Sequence, residues 1–407
     1  MAAKIFWWSV NLILYTYLGY PALLRLLARI RPARMSQRPA AEPLPTVTLL
    51  IAAHNEEKII AEKLKNSLAL DYPPDCLQIL VAADGSDDRT VEIVQSFAEQ
   101  GVELSYSPPR RGKTAAINRA LPKVRGEILV FSDANNFYRP DTVHQLVIGF
   151  SDEHIGAVSG AKTIAAGDGN LGEAEGLYWK YESAIKEDES RLSTCTGVAG
   201  EVLAMRAKLY EPIPSQIIND DFYIAMRLIK RNYRIAYAPQ ARSIERVSAS
   251  PQEEAIRRTR IIAGRYQAML QAGDLLPWGN PLVVWQVVSH KFLRPLVPLA
   301  MIGAWFANLL AVVRPPRRGR SALQRLAPPW NWVFLALQAA FYALALSGGR
   351  RERKGKLGKV LYMPYFLLNS NLAALRGLFS FMQKRQSTNW QRVGRREIRS
   401  TAQNDED

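Results

Sequence analysis

The run Ile128-Leu129-Val130-Phe131-Ser132-Asp133-Ala134-Asn135 decides how this chain is read. An apolar stretch ends on a carboxylate, and a second oxygen-bearing side chain follows two residues later, so Asp133 stands at the C-terminal end of a buried strand expected over 127–132. The same pattern recurs on either side. His54-Asn55-Glu56 ends the apolar run Val47 to Ala53, Asp84 ends Ile79 to Ala83, and Asp220-Asp221 opens a later helix. One apolar run ending in aspartate is common, but an ordered series is not. In an open parallel sheet ligands collect at the carboxyl ends of strands, so these clusters are expected to share one crevice.

Between 46 and about 245 short β-branched runs alternate with amphipathic stretches, which predicts an α/β fold with a mostly parallel sheet. Strands are expected at 46–53, 78–83, 102–107, 127–132, 155–161, 202–206 and 233–238. Helices are expected at 57–70, 88–100, 113–121, 141–150, 173–191 and 220–231. From Ser250 to Leu270 the chain reads as one further helix, with Ser250 as N-cap, Pro251 at the first position and Glu253-Glu254 in the first turn. Its Arg257, Arg260 and Gly264 share a face, and the helix is expected near a membrane surface.

The remaining composition points to a bilayer. Residues 5–24 (IFWWSVNLILYTYLGYPALL) carry no charge for about 20 positions, the length that crosses a membrane as helix. Similar runs occupy 295–313, 330–347 and 360–375. The first run lacks the small-x-small site of a cleavable signal. Arg25, Arg29, Arg31, Arg34 and Arg38 follow it, which puts the N-terminus outside and residue 31 onward in the cytoplasm. Both cysteines, Cys76 and Cys195, then sit in a reducing compartment, where a disulfide is not expected. The net charge of +16 does not indicate nucleic acid, because Arg314, Arg317, Arg318, Arg320, Arg350, Arg351, Arg353, Lys354 and Lys356 gather beside apolar segments, where basic side chains meet lipid headgroups. The basic clusters at 314–325, 350–359 and 384–399 cannot all be cytoplasmic if all three C-terminal runs span. Residues 281–294, with His290, Lys291 and Arg294, are expected along the interface. Asn369, Ser370, Asn371 and Arg376 either line a polar path or mark their segment as re-entrant.

Gly112-Lys113-Thr114 invites comparison with a Walker A loop, but Ser107 occupies the position that loop reserves for glycine. Lys113 nonetheless begins a helix after Arg110-Arg111, where free amides and positive charge favour a pyrophosphate. Asp133 suits Mg²⁺ or Mn²⁺, which use few protein carboxylates and complete their shell with phosphate oxygens and water; Asn135 adds a carbonyl oxygen without charge. Asp84 is free to accept from a base or ribose while Asp87 or Asp88 caps the following helix. Of the adjacent pair, Asp221 fits a general base and Asp220 an orienting or capping role. Gly197 and Gly200 either admit backbone close to a bound sugar or form a turn.

This ordered set resembles the family-2 glycosyltransferases of GT-A fold, the class of the cellulose, hyaluronan and chitin synthases. The likeness covers 46 to about 270. The resemblance implies that His54-Asn55-Glu56 packs on a uracil, that Asp84 binds the nucleoside, that Lys113 and Asn118 lie near the diphosphate, and that Asp133-Ala134-Asn135 is the metal motif. It further implies that Asn219-Asp220-Asp221 ends in the base. The QxxRW motif of the processive synthases becomes Arg257-Arg258-Thr259-Arg260-Ile261, which keeps an arginine for the diphosphate and loses the tryptophan that stacks on the acceptor.

The expected organisation is an N-terminal transmembrane helix at 1–30, a linker at 31–45, a GT-A catalytic domain at 46–249, an amphipathic interface region at 250–280, transmembrane or interfacial helices at 281–383, and a polar tail at 384–407. The expected function is inverting transfer of a sugar from a nucleotide-diphosphate sugar, a UDP-sugar first, to a polysaccharide or lipid-linked acceptor at the inner membrane. The expected cofactor is a divalent cation, and the other expected partners are membrane lipids and export or polymerisation proteins. A single-sugar transferase to a lipid carrier and a catalytically silent scaffold are the competing readings. Sugar-reading contacts are assigned to loops such as 163–175.

Overall fold

A computed structural model describes residues 1–30, 43–165, 169–245, 251–316, 321–348 and 356–383. The linker from 31 to 42, the Ser250 cap, most of the basic cluster at 350–359 and the tail from 384 lie outside the described residues. The chain divides into two units. A helical unit joins the N-terminal helices with residues 184–197 and the described residues between 258 and 383; a sheet unit comprises the described residues of 43–183 and 198–257.

The chain begins in the helical unit with α1 (Ala2–Leu14) and α2 (Tyr20–Ile30), joined by a π-helical turn, Tyr15–Gly19. The sheet unit follows. Its strands are β1 (Val47–Ala53), β2 (Leu77–Asp84), β3 (Val102–Ser107), β4 (Ile128–Asp133), β5 (Phe137–Tyr138), β6 (Ile155–Ile164), β7 (Leu203–Arg206) and β8 (Arg234–Glu245), in the order β3-β2-β1-β4-β7-β6-β8-β5. From β3 to β4 every pairing is parallel, as is β6 with β8; β7 runs antiparallel to both β4 and β6, and β5 antiparallel to β8. Every residue of β1 is buried, which explains its unbroken apolar run, since a parallel strand covered on both faces needs no alternation. Each fully buried Leu or Ile there contributes about 1.5–3 kcal/mol over leaving it exposed. The two-residue β5 is too short to show a period in sequence and was not expected.

The helices of this unit are α3 (Ile60–Leu68), α4 (Thr90–Gln95), α5 (Lys113–Ala120), α6 (Thr142–Ile148), α7 (Gly169–Leu192), whose end belongs to the helical unit, and α8 (Asp220–Lys230). Asp88 caps α4 as anticipated, its Oδ1 accepting the Thr90 N–H at 2.9 Å. The expected helix at 88–100 stops at Gln95 and gives way to a 3-10 turn, Ala98–Gln100. The loop expected at 163–175 is mostly absent, because β6 runs to Ile164 and α7 starts at Gly169.

Next come α9 (Pro251–Leu270), which passes from the sheet unit into the helical unit, α10 (Ala272–Leu275), α11 (Pro281–Val287), α12 (Val297–Val313), α13 (Ala322–Arg325), α14 (Trp330–Gly348) and α15 (Lys356–Met382). A π turn at Val288–Phe292 and a 3-10 turn at Arg294–Leu296 join α11 to α12. By length and composition three stretches among the described residues could cross a membrane: Ala2–Ile30, Pro281–Val313 and Trp330–Ser347. Residues 281–294 are therefore continuous with an apolar span. The polar residues of α15 are bonded within the helical unit, Ser370 accepting from Arg258 at 2.7 Å and Asn371 donating to the Leu367 carbonyl at 2.8 Å. This unit also buries a polar knot on Glu189, which accepts from the Tyr20 hydroxyl at 2.6 Å, the Thr196 amide at 2.8 Å and His290 Nδ1 at 2.8 Å. Lys291 lies 3.2 Å from His290 Nε2. Because the ammonium must donate, Nε2 accepts and Nδ1 carries the proton given to Glu189.

In the sheet unit the corresponding hub is Asn136, fully buried just beyond β4. Its Nδ2 donates to the Glu201 carbonyl at 2.8 Å and to Ser243 at 3.0 Å, and its Oδ1 accepts from Ser132 at 3.0 Å. Its backbone carbonyl accepts from Lys63 Nζ at 2.8 Å. Burial brings the Lys63 ammonium down from the usual lysine range to about 7, opposed by the negative charge of Asp133. In the unfolded chain this lysine keeps its proton to about pH 10.4, so between roughly pH 7 and 10 the unfolded state binds more protons and stability rises with pH. Relative to Lys63→Met, the wild-type unfolding free energy is expected to rise from pH 7 to pH 9, at up to about 1.4 kcal/mol per pH unit, and the melting temperature with it. A flat or falling difference in calorimetry would contradict this assignment.

Candidate active site

The carboxyl ends of β2 and β4 and the starts of α5 and α8 supply Asp84, Asp133, Lys113, Asp220 and Asp221, all within the sheet unit. The Asp84 carboxylate, at the end of β2, is buried and accepts two consecutive backbone amides, Arg111 at 2.9 Å and Gly112 at 2.7 Å. Gly85, at φ 56°, lets this loop close in, since a Cβ there would fall on the backbone of Arg110. The loop therefore enters α5 at a fixed point, and Lys113 is the first residue of that helix. Its Nζ lies 2.6 Å from Asp133 Oδ1 and 4.0 Å from Asp220 Oδ2. Residues more than a hundred positions apart thus form one charged centre.

Asn118, one and a half turns along α5, does a different task from the one expected. Its Oδ1 accepts from the Tyr210 hydroxyl at 2.9 Å and its Nδ2 donates to the Ile213 carbonyl at 2.9 Å, so it holds the segment that leads into α8. Burial, aided by the charge of Asp220, pushes the Tyr210 phenol up, which keeps it a donor. The two aspartates that open α8 diverge, as adjacent helical positions must. Asp220 faces Lys113, whereas Asp221 packs on Gly200, where an added Cβ would come within 3.1 Å of its own Cβ. Gly200 therefore makes room for Asp221. Gly197 belongs to the helical unit, where a Cβ would collide with Lys291.

His54-Asn55-Glu56 is knitted to the end of β2. His54 Nδ1 donates to the Asp84 carbonyl at 2.6 Å, and Asn55, in the left-handed region at φ 54°, accepts the Asp87 amide at 3.0 Å. The Glu56 amide donates to Thr90 at 2.7 Å. Arg257 is held by Glu254 at 2.7 and 3.0 Å. Although burial alone would lower it, Glu254, with Glu175 and Glu201, raises its pKa, so its charge is permanent. Arg260 is half-buried and belongs to the helical unit.

Sequence reasoning missed Glu201, Lys162 and Glu245. Lys162, near the end of β6 and nearly buried, pairs with Glu201 at 3.3 Å and with Glu245, and stands 5.1 Å from the Trp179 ring. The available signal was a lysine and two glutamates at the ends of otherwise apolar strands, since such charges stay buried only when paired.

The donors around Asp133 suit a hard divalent cation. The Asp133 and Asp220 carboxylates offer hard oxygen donors, and a positive charge already rests between them in the form of the Lys113 ammonium. Among the described residues no group of three or more His, Cys, Asp or Glu side chains could hold a metal unaided. That is the situation in which substrate phosphates and water complete the shell.

Residues 48–212 match the family described as Glycosyl transferase family 2. The probable glycosyltransferase YdaM of Bacillus subtilis is 31% identical over 220 residues, 49% of this chain and 50% of that protein. Beta-monoglucosyldiacylglycerol synthase of Nostoc is 34% identical over 164 residues, 39% of this chain and 34% of its own length. Poly-beta-1,6-N-acetyl-D-glucosamine synthase of Staphylococcus aureus is 26% identical over 209 residues, 49% of this chain and 50% of the enzyme. The chain thus spans half or less of these relatives. The mannosyltransferase PcManGT of Pyrobaculum calidifontis, solved with GDP-Man and Mn²⁺, shares the fold at a TM-score of 0.69 and 23% identity, over 92% of this chain and 99% of that one. The matched region is a family-2 glycosyltransferase domain of GT-A fold.

If the Asp84 carboxylate is what fastens the loop, Asp84→Ala should release it. Each charge-assisted bond to a backbone amide is worth about 1.5–3 kcal/mol, so amide hydrogen exchange across 109–114 is expected to speed up by about tenfold or more. Unchanged protection in that segment would show the loop to be held by other contacts.

Proposed function

We propose that the protein is an inverting glycosyltransferase that moves a sugar from a nucleoside-diphosphate sugar, with UDP as the first candidate, to a hydroxyl of a polysaccharide or lipid-linked acceptor at the membrane. The observation that carries this reading is the meeting of Lys113, Asp133 and Asp220, drawn from α5, β4 and α8, beside a loop clamped by Asp84. Asp133, Asp220 and Asn135 are the residues that would hold a divalent cation, which supplies charge neutralisation for a departing diphosphate. Lys113 adds a fixed positive charge at the same pole, where charge develops in the transition state.

Asp221 is the base in this reading. It takes the proton of the acceptor hydroxyl as that oxygen forms a bond to the anomeric carbon and the bond to the diphosphate oxygen breaks, so configuration inverts in one displacement. The leaving group departs as an anion and needs no acid, which distinguishes this site from the paired carboxylates of a hydrolase. Three apolar stretches long enough to cross a membrane support an acceptor or product in the bilayer. The arginines after α2 support a cytoplasmic catalytic domain on a multi-pass inner-membrane protein.

A second reading, a single sugar added to a lipid, is favoured by the likeness to a glucosyldiacylglycerol synthase and by the missing tryptophan after Arg260. Purified enzyme given UDP- and GDP-sugars in turn, with membrane lipid as acceptor, is expected to release nucleoside diphosphate with one donor class. Label in the organic phase marks the lipid product and a water-soluble polymer the glycan. Absence of release with every donor would leave the silent scaffold. Asp221→Asn is expected to keep nucleotide affinity within about twofold and to lower transfer by about 10²-fold or more. Near-normal turnover in that variant would remove Asp221 from the role.

A further inference from the structure

The antiparallel ladder between β4 and β7 ends at the pair Phe131 and Leu203. Beyond that point the two chains part: β4 carries on to Asp133, whereas the residues before β7 form a 3-10 turn, Gly200–Val202. A backbone carbonyl just past the end of a ladder has lost its strand partner and needs another. The Glu201 carbonyl accepts from Asn136 Nδ2 at 2.8 Å, and the Tyr138 hydroxyl lies 2.7 Å from it and 2.9 Å from the Phe131 carbonyl. Side chains from the stretch that follows Asp133 therefore bridge the place where the strands separate.

Asn136 has no room to give way. It is fully buried, its two amide hydrogens go to Glu201 and to Ser243 of β8, and its side-chain oxygen accepts from Ser132 of β4. A shift of the turn would leave a buried donor unpaired. The turn in question bears on α8. A Cβ on Gly200, its first residue, would stand 3.1 Å from Asp221 Cβ and 3.6 Å from Asp221 Oδ2. The other oxygen of that carboxylate, Oδ1, accepts the Phe222 amide at 2.7 Å. One oxygen is thus oriented by the helix itself, and the other lies against the turn.

We infer that Asn136 is a positioning residue for Asp221: acting through the Glu201 carbonyl and Gly200, it sets that carboxylate at a fixed station from the strand end that bears Asp133. This rests on the reading of Asp221 as the base of a glycosyltransferase and deepens it. In an inverting displacement the base meets the acceptor hydroxyl on the side of the sugar opposite the breaking bond to diphosphate, so the groups at the two ends of the reaction must keep one separation. A single amide bonded both to β4 and to the turn beneath Asp221 supplies it. Being buried, Asn136 acts on the reaction only through these neighbours, and an error of about 1 Å passed on to the base is enough to slow transfer severely.

The test is a double-mutant cycle on the full-length, detergent-solubilised protein, given radiolabelled UDP-glucose, UDP-N-acetylglucosamine and GDP-mannose in turn with membrane lipid as acceptor. Asn136→Leu, close in size but without the amide, is expected to lower transfer by about tenfold or more while UDP or GDP affinity stays within about twofold. In the Asp221→Asn background the same substitution is expected to change transfer by less than about twofold, because a base already removed cannot be misplaced. Tyr138→Phe, which keeps the ring and removes the hydroxyl, is expected to give a smaller loss in the same direction, and it replaces Asn136→Leu in the cycle if thermal melts show that variant unfolded. Wild-type transfer rates in the folded variants, or a loss that multiplies with that of Asp221→Asn, would overturn the positioning role while the transferase reading stands. Normal transfer by Asp221→Asn, or no nucleoside diphosphate released by wild type from any donor, would overturn the reading of the base and this inference with it.

Discussion

The carboxylate of Asp84 accepts two consecutive backbone amides, and through them the end of β2 takes hold of the loop that begins α5. The charged centre of the sheet unit is arranged around that grip. It fixes where Lys113 starts, hence where a positive charge can reach Asp133. Through Asn118, it also fixes the segment that delivers Asp220 and Asp221. An aspartate that faced only solvent at this strand end would leave the loop to find its own position. A charge misplaced by a single ångström is one that a reacting centre cannot use.

Behind this centre the sheet unit is stiffened by polar groups instead of apolar ones alone. Asn136 satisfies four partners from four parts of the chain, among them Lys63, which is buried against it. Such a network is costly when incomplete and specific when complete, because every unsatisfied buried donor or acceptor loses its water without compensation. The helical unit repeats the principle with Glu189, Tyr20, Thr196 and His290. Both hubs tie segments far apart in sequence, and both are set by partners that no local pattern announces.

Much of the architecture is legible in single residues. The unbroken apolar run of β1 and the Asp88 side chain at the start of α4 each follow from a local rule, and the expected strands lie within about three residues of their limits except β8, which runs seven residues past its expected end. Asp133 and the paired aspartates of α8 could be singled out because acidic residues recur in order at strand ends and a helix start, although any one of them alone could be a cap. Less legible was what each side chain does once placed. That Asn118 donates to the Ile213 carbonyl and that Arg257 is paired with Glu254 could be read only from the folded chain. Gly200, which looked like an opening for ligand, is an opening for Asp221.

By itself the sequence determined the class of fold, the apolar stretches, and the set of acidic and basic residues on which any chemistry here must draw, because hydrophobic period and strand-end polarity are local properties. Tertiary structure alone decided that β7 reverses the sheet, that Lys113 lies between Asp133 and Asp220, and that Lys162 pairs with Glu201 and Glu245. These are pairings between charges brought together by chain crossovers. Their strength depends on distance and burial, and neither quantity exists until the chain has folded.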